Sequence, residues 1–244
     1  MAQKIFAHRG ASGYAPENTL RAFELACDMH AHGVELDVQL TRDRQAVVIH
    51  DETTTRVTGV KGRVAEMTYD ELAKLSVVNA VDGRETDRIP LLKDVLALLH
   101  DRGLEVNIEL KNSGLPYEGM EEIVMGLVAD AGMKERTIYS SFNHYSLEVV
   151  KSIDRSAKCG LLYSCMLYEP WRYAASFGMD ALHPHFSELR VPGEVEKSHR
   201  LGLLVNPWTV NEETDLRSVI AAGADYIITN YPDRALRLLG EMGR

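Results

Sequence analysis

About eight short apolar runs alternate with amphipathic helical patterns along this chain. The alternation predicts an α/β fold, and the number of units favours a (β/α)8 TIM barrel over an open, doubly wound sheet. The length of 244 residues agrees, because such barrels typically contain about 250 residues. The chain also lacks a G-x-G-x-x-G or Walker sequence, which argues against a nucleotide-binding sheet. We expect one domain over residues 1–244, with a small insertion at about 52–90 after the second strand.

The first strand and helix are predicted from the start of the chain. An apolar run from Lys4 to Ala7 predicts a strand, and His8-Arg9-Gly10 follows it directly. A loop then leads to a helical pattern from Asn18 to about Met29, which either Asn18 or Thr19 could cap. The order of these elements is strand, loop and helix.

The second predicted strand, Val34 to Leu40, alternates strictly between apolar and polar residues. Successive side chains of a strand point to opposite faces, so Glu35, Asp37 and Gln39 share one face. Two carboxylates about 7 Å apart could lie on a solvent-exposed face, or they could form half of a site for a hard divalent cation. The pattern of this strand leaves both interpretations open.

A hairpin and an irregular segment are predicted next. The apolar run at 46–49 ends in His50-Asp51, and a hairpin is its simplest connection to the acidic strand. Residues 52 to about 90 then interrupt the alternation with threonines, glycines and a cluster of charges from Asp82 to Arg88. One helix is predicted there, because Thr68 is followed three residues later by Glu71, as in a capping box.

The alternation of strands and helices resumes at Leu91 and continues to the end of the chain. Further strands are predicted at 104–110, 136–141, 158–163, 179–183, 203–209 and 224–229. Helices are predicted at 91–102, 117–131, 144–153, 169–177, 192–201, 212–222 and after 229. Together with the first two strands, these units complete the eight that a barrel requires.

Several chemically reactive residues fall at predicted strand ends, where barrels of this kind carry their active sites. They are His8, Asp37, His50, Glu109 and Lys111. Acidic strands aimed into one barrel mouth would repel each other without a cation, because uncompensated buried charge is costly. Glu35, Asp37 and Glu109 offer oxygen ligands and no thiolate, which favours Mg²⁺ or Ca²⁺ over a structural zinc.

Six short motifs occur in a fixed order along the chain. They are His8-Arg9-Gly10, Pro16-Glu17-Asn18-Thr19, Glu35-Leu36-Asp37, His50-Asp51, Asn107-Ile108-Glu109-Leu110-Lys111 and Trp208-Thr209-Val210-Asn211. In this order they resemble the glycerophosphodiester phosphodiesterase family, and the resemblance extends to Thr229-Asn230-Tyr231-Pro232-Asp233. It implies a (β/α)8 barrel with an insertion and the hydrolysis of glycerophosphodiesters to an alcohol and glycerol 3-phosphate, dependent on a divalent cation.

The resemblance also implies roles for individual residues. The metal ligands are matched by Glu35, Asp37 and Glu109, the general acid and base by His8 and His50, and the phosphate-binding positions by Arg9 and Lys111. Two histidines can transfer protons near pH 7, but the sequence does not say which is the acid. It also leaves open whether water or the neighbouring glycerol hydroxyl is the nucleophile. Two departures from the family pattern, Leu91-Leu92 and Asn230, are expected to affect only loop geometry.

Other residues allow more than one interpretation. Lys111 could also simply neutralise Glu109, and Asp51 could orient a metal-bound water or cap its loop. Trp208 could belong to the core or form an aromatic wall over the glycerol of the substrate. Asn211 is predicted to cap the following helix. His183 and His185 are predicted to be structural or exposed.

Composition excludes several classes of partner. The formal net charge of −9 argues against nucleic acid or an anionic membrane surface. No apolar run approaches the roughly 18 residues of a membrane span, and the first residues lack a signal segment, so a cytoplasmic protein is expected. The three cysteines form no C-x-x-C pair and are predicted to be buried. No sequence feature argues for a homo-oligomer, and that question stays open.

Two rival functions follow from the same barrel. One is a phospholipase D-like enzyme that acts on lysophospholipids, for which an apolar acyl channel would be expected. The other is a non-catalytic barrel that binds phosphate. No histidine or metal-matching carboxylate is missing from the motifs, so a small-molecule glycerophosphodiester is the expected substrate.

Overall fold

Eight parallel strands surround a common axis in the computed structural model, which describes residues 2–79, 83 and 86–243. The strands of the described residues are β1 (Lys4–His8), β2 (Gly33–Leu40), β3 (Ala46–Val48), β4 (Ser76–Val78), β5 (Thr86–Arg88), β6 (Glu105–Leu110), β7 (Thr137–Ser141), β8 (Lys158–Tyr163), β9 (Ala181–Pro184), β10 (Leu204–Val205) and β11 (Tyr226–Thr229). Strands β3, β4 and β5 lie outside the parallel set.

Helices follow the barrel strands along the chain. They are α1 (Leu20–Asp28), α2 (Thr55–Thr58), α3 (Tyr69–Leu72), α4 (Leu92–Arg102), α5 (Met120–Asp130), α6 (His144–Ile153), α7 (Pro170–Ser176), α8 (Glu194–Arg200), α9 (Glu213–Ala221) and α10 (Pro232–Met242). Short 3₁₀ helices occupy Val64–Glu66, Lys134–Arg136 and Phe186–Arg190. The predicted alternation of strands and helices is confirmed, and most element ends differ from the prediction by a few residues.

The parallel strands are ordered β10-β9-β8-β7-β6-β2-β1-β11, which confirms the predicted (β/α)8 barrel. Separate backbone hydrogen bonds join the segments around β10 and β11, from Asp225 N to Val205 O (2.8 Å), from Ile228 N to Pro207 O (3.0 Å) and from Val210 N to Ile228 O (2.9 Å). The strand predicted at 203–209 is therefore too long, since β10 ends at Val205. Pro207 has no N–H to donate to a neighbouring strand, which limits regular pairing there.

The apolar face of β2 packs into the main core. Val34, Leu36 and Val38 are fully buried there, together with residues of α1 and α4. Helix α1 is capped by Thr19, whose hydroxyl accepts a hydrogen bond from Ala22 N (3.3 Å). Asn18, the other predicted cap, instead points into the barrel. The polar face of β2 is thereby left to line the barrel interior.

The predicted hairpin between β2 and β3 is confirmed, and the insertion follows β3. Its predicted capping box is also present, because Thr68 and Glu71 bond reciprocally at the start of α3. The insertion has its own small apolar core, formed by Val47, Ile49, Val57, Val64, Leu72, Val77, Ile89 and Leu91. The antiparallel pair β4–β5 was not predicted. Asp82 and residues 80, 81, 84 and 85 lie outside the described residues.

Two of the three cysteines, Cys27 and Cys159, are buried as predicted. The prediction is wrong for Cys165, which is exposed because it lies in the loop after β8. Among the described residues, no helix is both long enough and apolar enough to cross a membrane.

Candidate active site

The polar side chains of β2 and β6 face each other at the C-terminal end of the barrel. The register of the two strands places Glu35 opposite Asn107 and Asp37 opposite Glu109. Residues opposite each other on neighbouring strands have side chains about 5 Å apart. The alternation in the two strand sequences therefore brings the acidic groups of both strands together, as predicted.

Glu35, Asp37 and Glu109 form a buried acidic cluster, with one oxygen from each carboxylate within 4.8 Å of the other two. Burial and the charges of its two neighbours raise the pKa of Glu35 well above its ordinary value. Burial and the charge of Asp37 raise the pKa of Glu109 to about 7. Oδ1 of Asp37 is buried and accepts no hydrogen bond. Three buried carboxylates that repel one another, one of them with an oxygen that accepts no hydrogen bond, fit a hard divalent cation.

Two cationic side chains lie against the acidic cluster. Arg9 Nε lies 3.2 Å from Asp37 Oδ2, and Lys111 Nζ lies 2.8 Å from Glu109 Oε1. Burial alone would raise the pKa of Asp37, but Arg9, His50 and Lys111 together hold it below its ordinary value. Lys111 thus does neutralise Glu109, as one interpretation of the sequence expected.

His8 is partly buried beside the cluster at the end of β1. Its Nε2 lies 3.8 Å from Glu35 Oε2, and its Nδ1 lies 2.7 Å from Asn230 Oδ1. Burial and the charge of Arg9 lower the pKa of His8 to about 3. The expectation that Asn230 affects only loop geometry is wrong, because its side chain hydrogen-bonds to this histidine.

His50 follows β3 and faces the same mouth. Its Nδ1 lies 2.6 Å from Asp51 Oδ1, and its Nε2 lies 3.2 Å from Lys111 Nζ. Gln39, the third polar residue of β2, donates a hydrogen bond to the carbonyl of His50 (2.9 Å). Burial, Arg9 and Lys111 lower the pKa of His50. Asp51 therefore holds the ring of His50, a contact that neither sequence interpretation of Asp51 included.

A cavity of about 220 Å³ connects these groups to an apolar wall. Its polar lining includes both histidines, Arg9, Glu35, Asn107 and Glu109, and its apolar lining consists of Phe142, Leu162, Trp208 and Ile228. Trp208 meets Phe142 edge to face, with ring centroids 5.6 Å apart. Drug-sized pockets have volumes of roughly 300–1,000 Å³, so this cavity suits a smaller ligand. Trp208 lines the cavity as well as packing against its neighbours.

Two further predictions concern the late part of the chain. Asn211 does not cap α9. Its Oδ1 instead accepts a hydrogen bond from the backbone N of Asn230 (2.9 Å), which fixes the residue that contacts His8. His183 is structural, as predicted, because it is buried inside the barrel with Nε2 2.9 Å from Asn206 Nδ2. His185 is half-buried and bonds to Ser187 (2.7 Å).

All eight predicted site residues lie at one end of the barrel. Sequence reasoning missed two polar neighbours, Asn18 and Asn230, and three apolar residues of the cavity wall, Phe142, Leu162 and Ile228. Asn18 Nδ2 donates to Asp37 Oδ2 (2.8 Å). A signal for Asn18 was present, because it belongs to the Pro16-Glu17-Asn18-Thr19 motif, whereas the contact of Asn230 depends on the barrel bringing β11 beside β1.

Comparisons with known proteins agree with this geometry. The sequence profile of the glycerophosphoryl diester phosphodiesterase family matches residues 8–234. A glycerophosphodiester phosphodiesterase of Caldanaerobacter subterraneus is 41% identical over 240 residues, covering 98% of each chain. A crystal structure described as a putative glycerophosphoryl diester phosphodiesterase from Silicibacter pomeroyi superposes with a TM-score of 0.91 at 30% identity, covering 99% of this chain and 94% of the other. An Oleispira antarctica phosphodiesterase, solved with the product sn-glycerol-3-phosphate, gives 0.83 at 27% identity, covering 98% and 97%.

Proposed function

The chain belongs to the glycerophosphoryl diester phosphodiesterase family, and we propose that it hydrolyses glycerophosphodiesters to an alcohol and sn-glycerol 3-phosphate with the help of a divalent cation and two histidines. The observation that carries the proposal is one small cavity that joins a buried acidic cluster, two histidines and a cationic side chain. The related Oleispira phosphodiesterase was solved with the same product.

The cation-binding residues are Glu35, Asp37 and Glu109, and we assign them Mg²⁺ or Ca²⁺. When bound, such an ion would neutralise the carboxylates and withdraw charge from the phosphate oxygens. With all three carboxylates ionised, as they would be around a bound ion, Arg9 and Lys111 alone would leave the acidic cluster with an excess of one negative charge. A divalent ion would turn that excess into one positive charge, which matches the single negative charge of a phosphodiester.

Arg9 and Lys111 bind the phosphate in this proposal. Both side chains are mostly buried and remain cationic, since Asp37 and Glu17 raise the pKa of Arg9 against the effect of burial, and Glu109 and Asp37 do so for Lys111. Their donors would stabilise the charge that develops on the equatorial oxygens in the transition state. Fixed donors of this kind need no reorganisation during the reaction.

His8 and His50 carry the protons. Both line the cavity, and both have Nδ1 held by another side chain, so Nε2 is the nitrogen of each ring that would serve the substrate. For His50, the substrate would take the place of the contact between Nε2 and Lys111 Nζ (3.2 Å). One ring, as the neutral imidazole, would remove the proton of the attacking hydroxyl or water, and the other, as the imidazolium, would protonate the leaving alcohol. The apolar wall at Trp208 and Phe142 would contact the carbon atoms of the glycerol.

The proposal is tested by the release of glycerol 3-phosphate from glycerophosphocholine and glycerophosphoethanolamine, measured with EDTA, Mg²⁺ or Ca²⁺. We expect release from both substrates with a divalent ion and none with EDTA. Release that is equal in EDTA would contradict the cation requirement. Absence of product under every condition would contradict the assigned substrate, and lysophospholipids would then be the next substrates to test.

A further inference from the structure

Arg56, on helix α2 of the insertion, joins two loops of the active site. Its guanidinium donates to both carboxylate oxygens of Glu17 (2.7 and 2.8 Å). It also donates to both oxygens of Asp51 (2.7 and 3.0 Å). Glu17 belongs to the loop between β1 and α1, whereas Asp51 follows β3. One side chain therefore fixes the relative position of two segments that are 34 residues apart in the sequence.

Each of these carboxylates holds a residue of the reaction site. Glu17 Oε1 accepts a hydrogen bond from Arg9 Nη1 (2.9 Å). Asp51 Oδ1 lies 2.6 Å from His50 Nδ1. Arg56 itself does not line the cavity. Its side-chain hydrogen bonds run to Glu17 and Asp51, the two carboxylates that contact Arg9 and His50.

The helix that carries Arg56 is well anchored although it has only four residues. Val57, the next residue, is buried in the core of the insertion. Thr54, which precedes the helix, is fully buried, and its hydroxyl donates to Val60 O (2.6 Å). The guanidinium thus extends toward the two carboxylates from a fixed backbone, which is what a residue needs in order to orient others.

We propose that Arg56 is a positioning residue of the phosphodiesterase reaction, which orients His50 through Asp51 and Arg9 through Glu17. The inference rests on the proposed function, since it assigns His50 to proton transfer and Arg9 to the phosphate. It also gives the insertion a role in the reaction, because the insertion supplies the residue that links these two groups.

Only an arginine satisfies this geometry. Its planar fork presents donors to two carboxylates at once, and both carboxylates are bound bidentately here. A lysine would keep the positive charge but has one nitrogen, so it cannot hold both carboxylates in these orientations. Loss of the fork would also leave Glu17, a largely buried carboxylate, to compete with Asp37 for Arg9.

The test compares Arg56→Lys with Arg63→Lys in the intact chain. Arg63 lies on the same insertion, does not line the cavity, and is paired with Glu52 and Glu66 at 3.6 and 3.7 Å. We expect Arg56→Lys to lower kcat by about 10- to 100-fold, the usual effect of removing a partner that orients a reacting group, and to raise KM for glycerophosphocholine. The shift of Tm on adding Ca²⁺ should stay at the wild-type value, and Arg63→Lys should behave as wild type.

Double variants separate the effect of Arg56 on His50 through Asp51 from its effect on Arg9 through Glu17. On an Asp51→Asn background, Arg56→Lys should lower kcat little further, and on a Glu17→Gln background it should raise KM little further, because neighbours in one network are not additive. Methylguanidinium should restore part of the activity of Arg56→Ala, and methylammonium should not. Arg56 is accessible to such a rescue, because its side chain is 44% exposed.

Each failure has a distinct meaning. An Arg56→Lys protein with wild-type kcat and KM would overturn the inference, and so would losses that follow a lowered Tm and simply add in the double variants. An inactive wild-type protein would instead count against the proposed function. The two failures are distinguishable, because the second is seen before any variant is made.

Discussion

Nζ of Lys111 lies 3.2 Å from Nε2 of His50, and the same ammonium lies 2.8 Å from Oε1 of Glu109. Lys111 therefore connects the acidic cluster to a histidine that is assigned to proton transfer. The ammonium of Lys111 is therefore already placed between His50 and Glu109 to donate a hydrogen bond to an anion that enters the cavity. A phosphate bound there would replace His50 as one of the acceptors of Lys111.

The first prediction concerns this lysine. Lys111→Gln should weaken binding of glycerol 3-phosphate by about 10- to 100-fold, because a hydrogen bond to a charged group contributes about 1.5–3 kcal/mol. Isothermal titration calorimetry measures the affinity. The control is Lys151→Gln, which removes a lysine of α6 that pairs with Asp180, directly before the start of β9 and so at the opposite end of the barrel from the site. An unchanged dissociation constant for Lys111→Gln would remove Lys111 from the phosphate site.

The second prediction concerns the two histidines. His8→Ala and His50→Ala should each lower turnover by at least about a hundredfold, because general acid and base groups contribute that much or more. Thermal unfolding should show that both variants remain folded. His100→Ala, an exposed histidine of α4, provides the comparison. Normal turnover in either folded variant would exclude the two-histidine mechanism.

The third prediction concerns the acidic cluster. Without a divalent ion, Glu35→Gln should be at least as stable as the wild type, because it removes one of three mutually repelling carboxylates. Added Ca²⁺ or Mg²⁺ should raise the Tm of the wild type, since a ligand that binds only the folded state stabilises it. The same ion should leave the Tm of the variant unchanged.

Glu105→Gln is the matched control for that experiment. Glu105 lies at the opposite end of β6 from Glu109 and pairs with Lys4. This variant should retain the full response of Tm to the ion. An ion-dependent shift in Glu35→Gln equal to that of the wild type would show that Glu35 is not a ligand.

The fourth prediction is a dependence of stability on pH. Burial lowers the pKa of His183 to about 3 in the folded protein, whereas the unfolded chain binds the proton near pH 6.5. Between about pH 6.5 and pH 3, the unfolded chain binds a proton at this histidine and the folded protein does not. The free energy of unfolding therefore has its full value above about pH 6.5 and decreases as the pH falls toward 3. From pH 8 to pH 5, the wild type should lose about 2 kcal/mol more free energy of unfolding than His183→Gln.

Urea denaturation at the two pH values measures that difference. Equal losses in the wild type and in His183→Gln would mean that the buried ring does not resist protonation.

The main features of the barrel and of the site could be predicted from the sequence, because both follow local patterns. Alternation along β2 and β6 places Glu35, Asp37 and Glu109 on one face, and strand ends carry His8 and Lys111. These relationships need only the periodicity of a strand and the rule that strands of a barrel share one mouth.

The contacts that orient these residues could not be predicted in the same way. Asn230 reaches His8 only because β11 closes the barrel beside β1, and Arg56 reaches Glu17 only because the insertion folds over that loop. Such contacts join segments that have no common pattern in the sequence. The position at which β10 ends also depends on its neighbour in the barrel, because only separate hydrogen bonds, and no regular ladder, join it to β11.

The lining of the cavity is divided along the chain. All of its ionisable side chains come from residues 8–109, whereas Phe142, Leu162, Trp208 and Ile228 supply its apolar wall. During evolution, duplicated copies could therefore vary the wall, and with it the part of the substrate that contacts it, without altering the ionisable groups to which the hydrolysis is assigned. Directed-evolution libraries confined to those four positions would follow the same route.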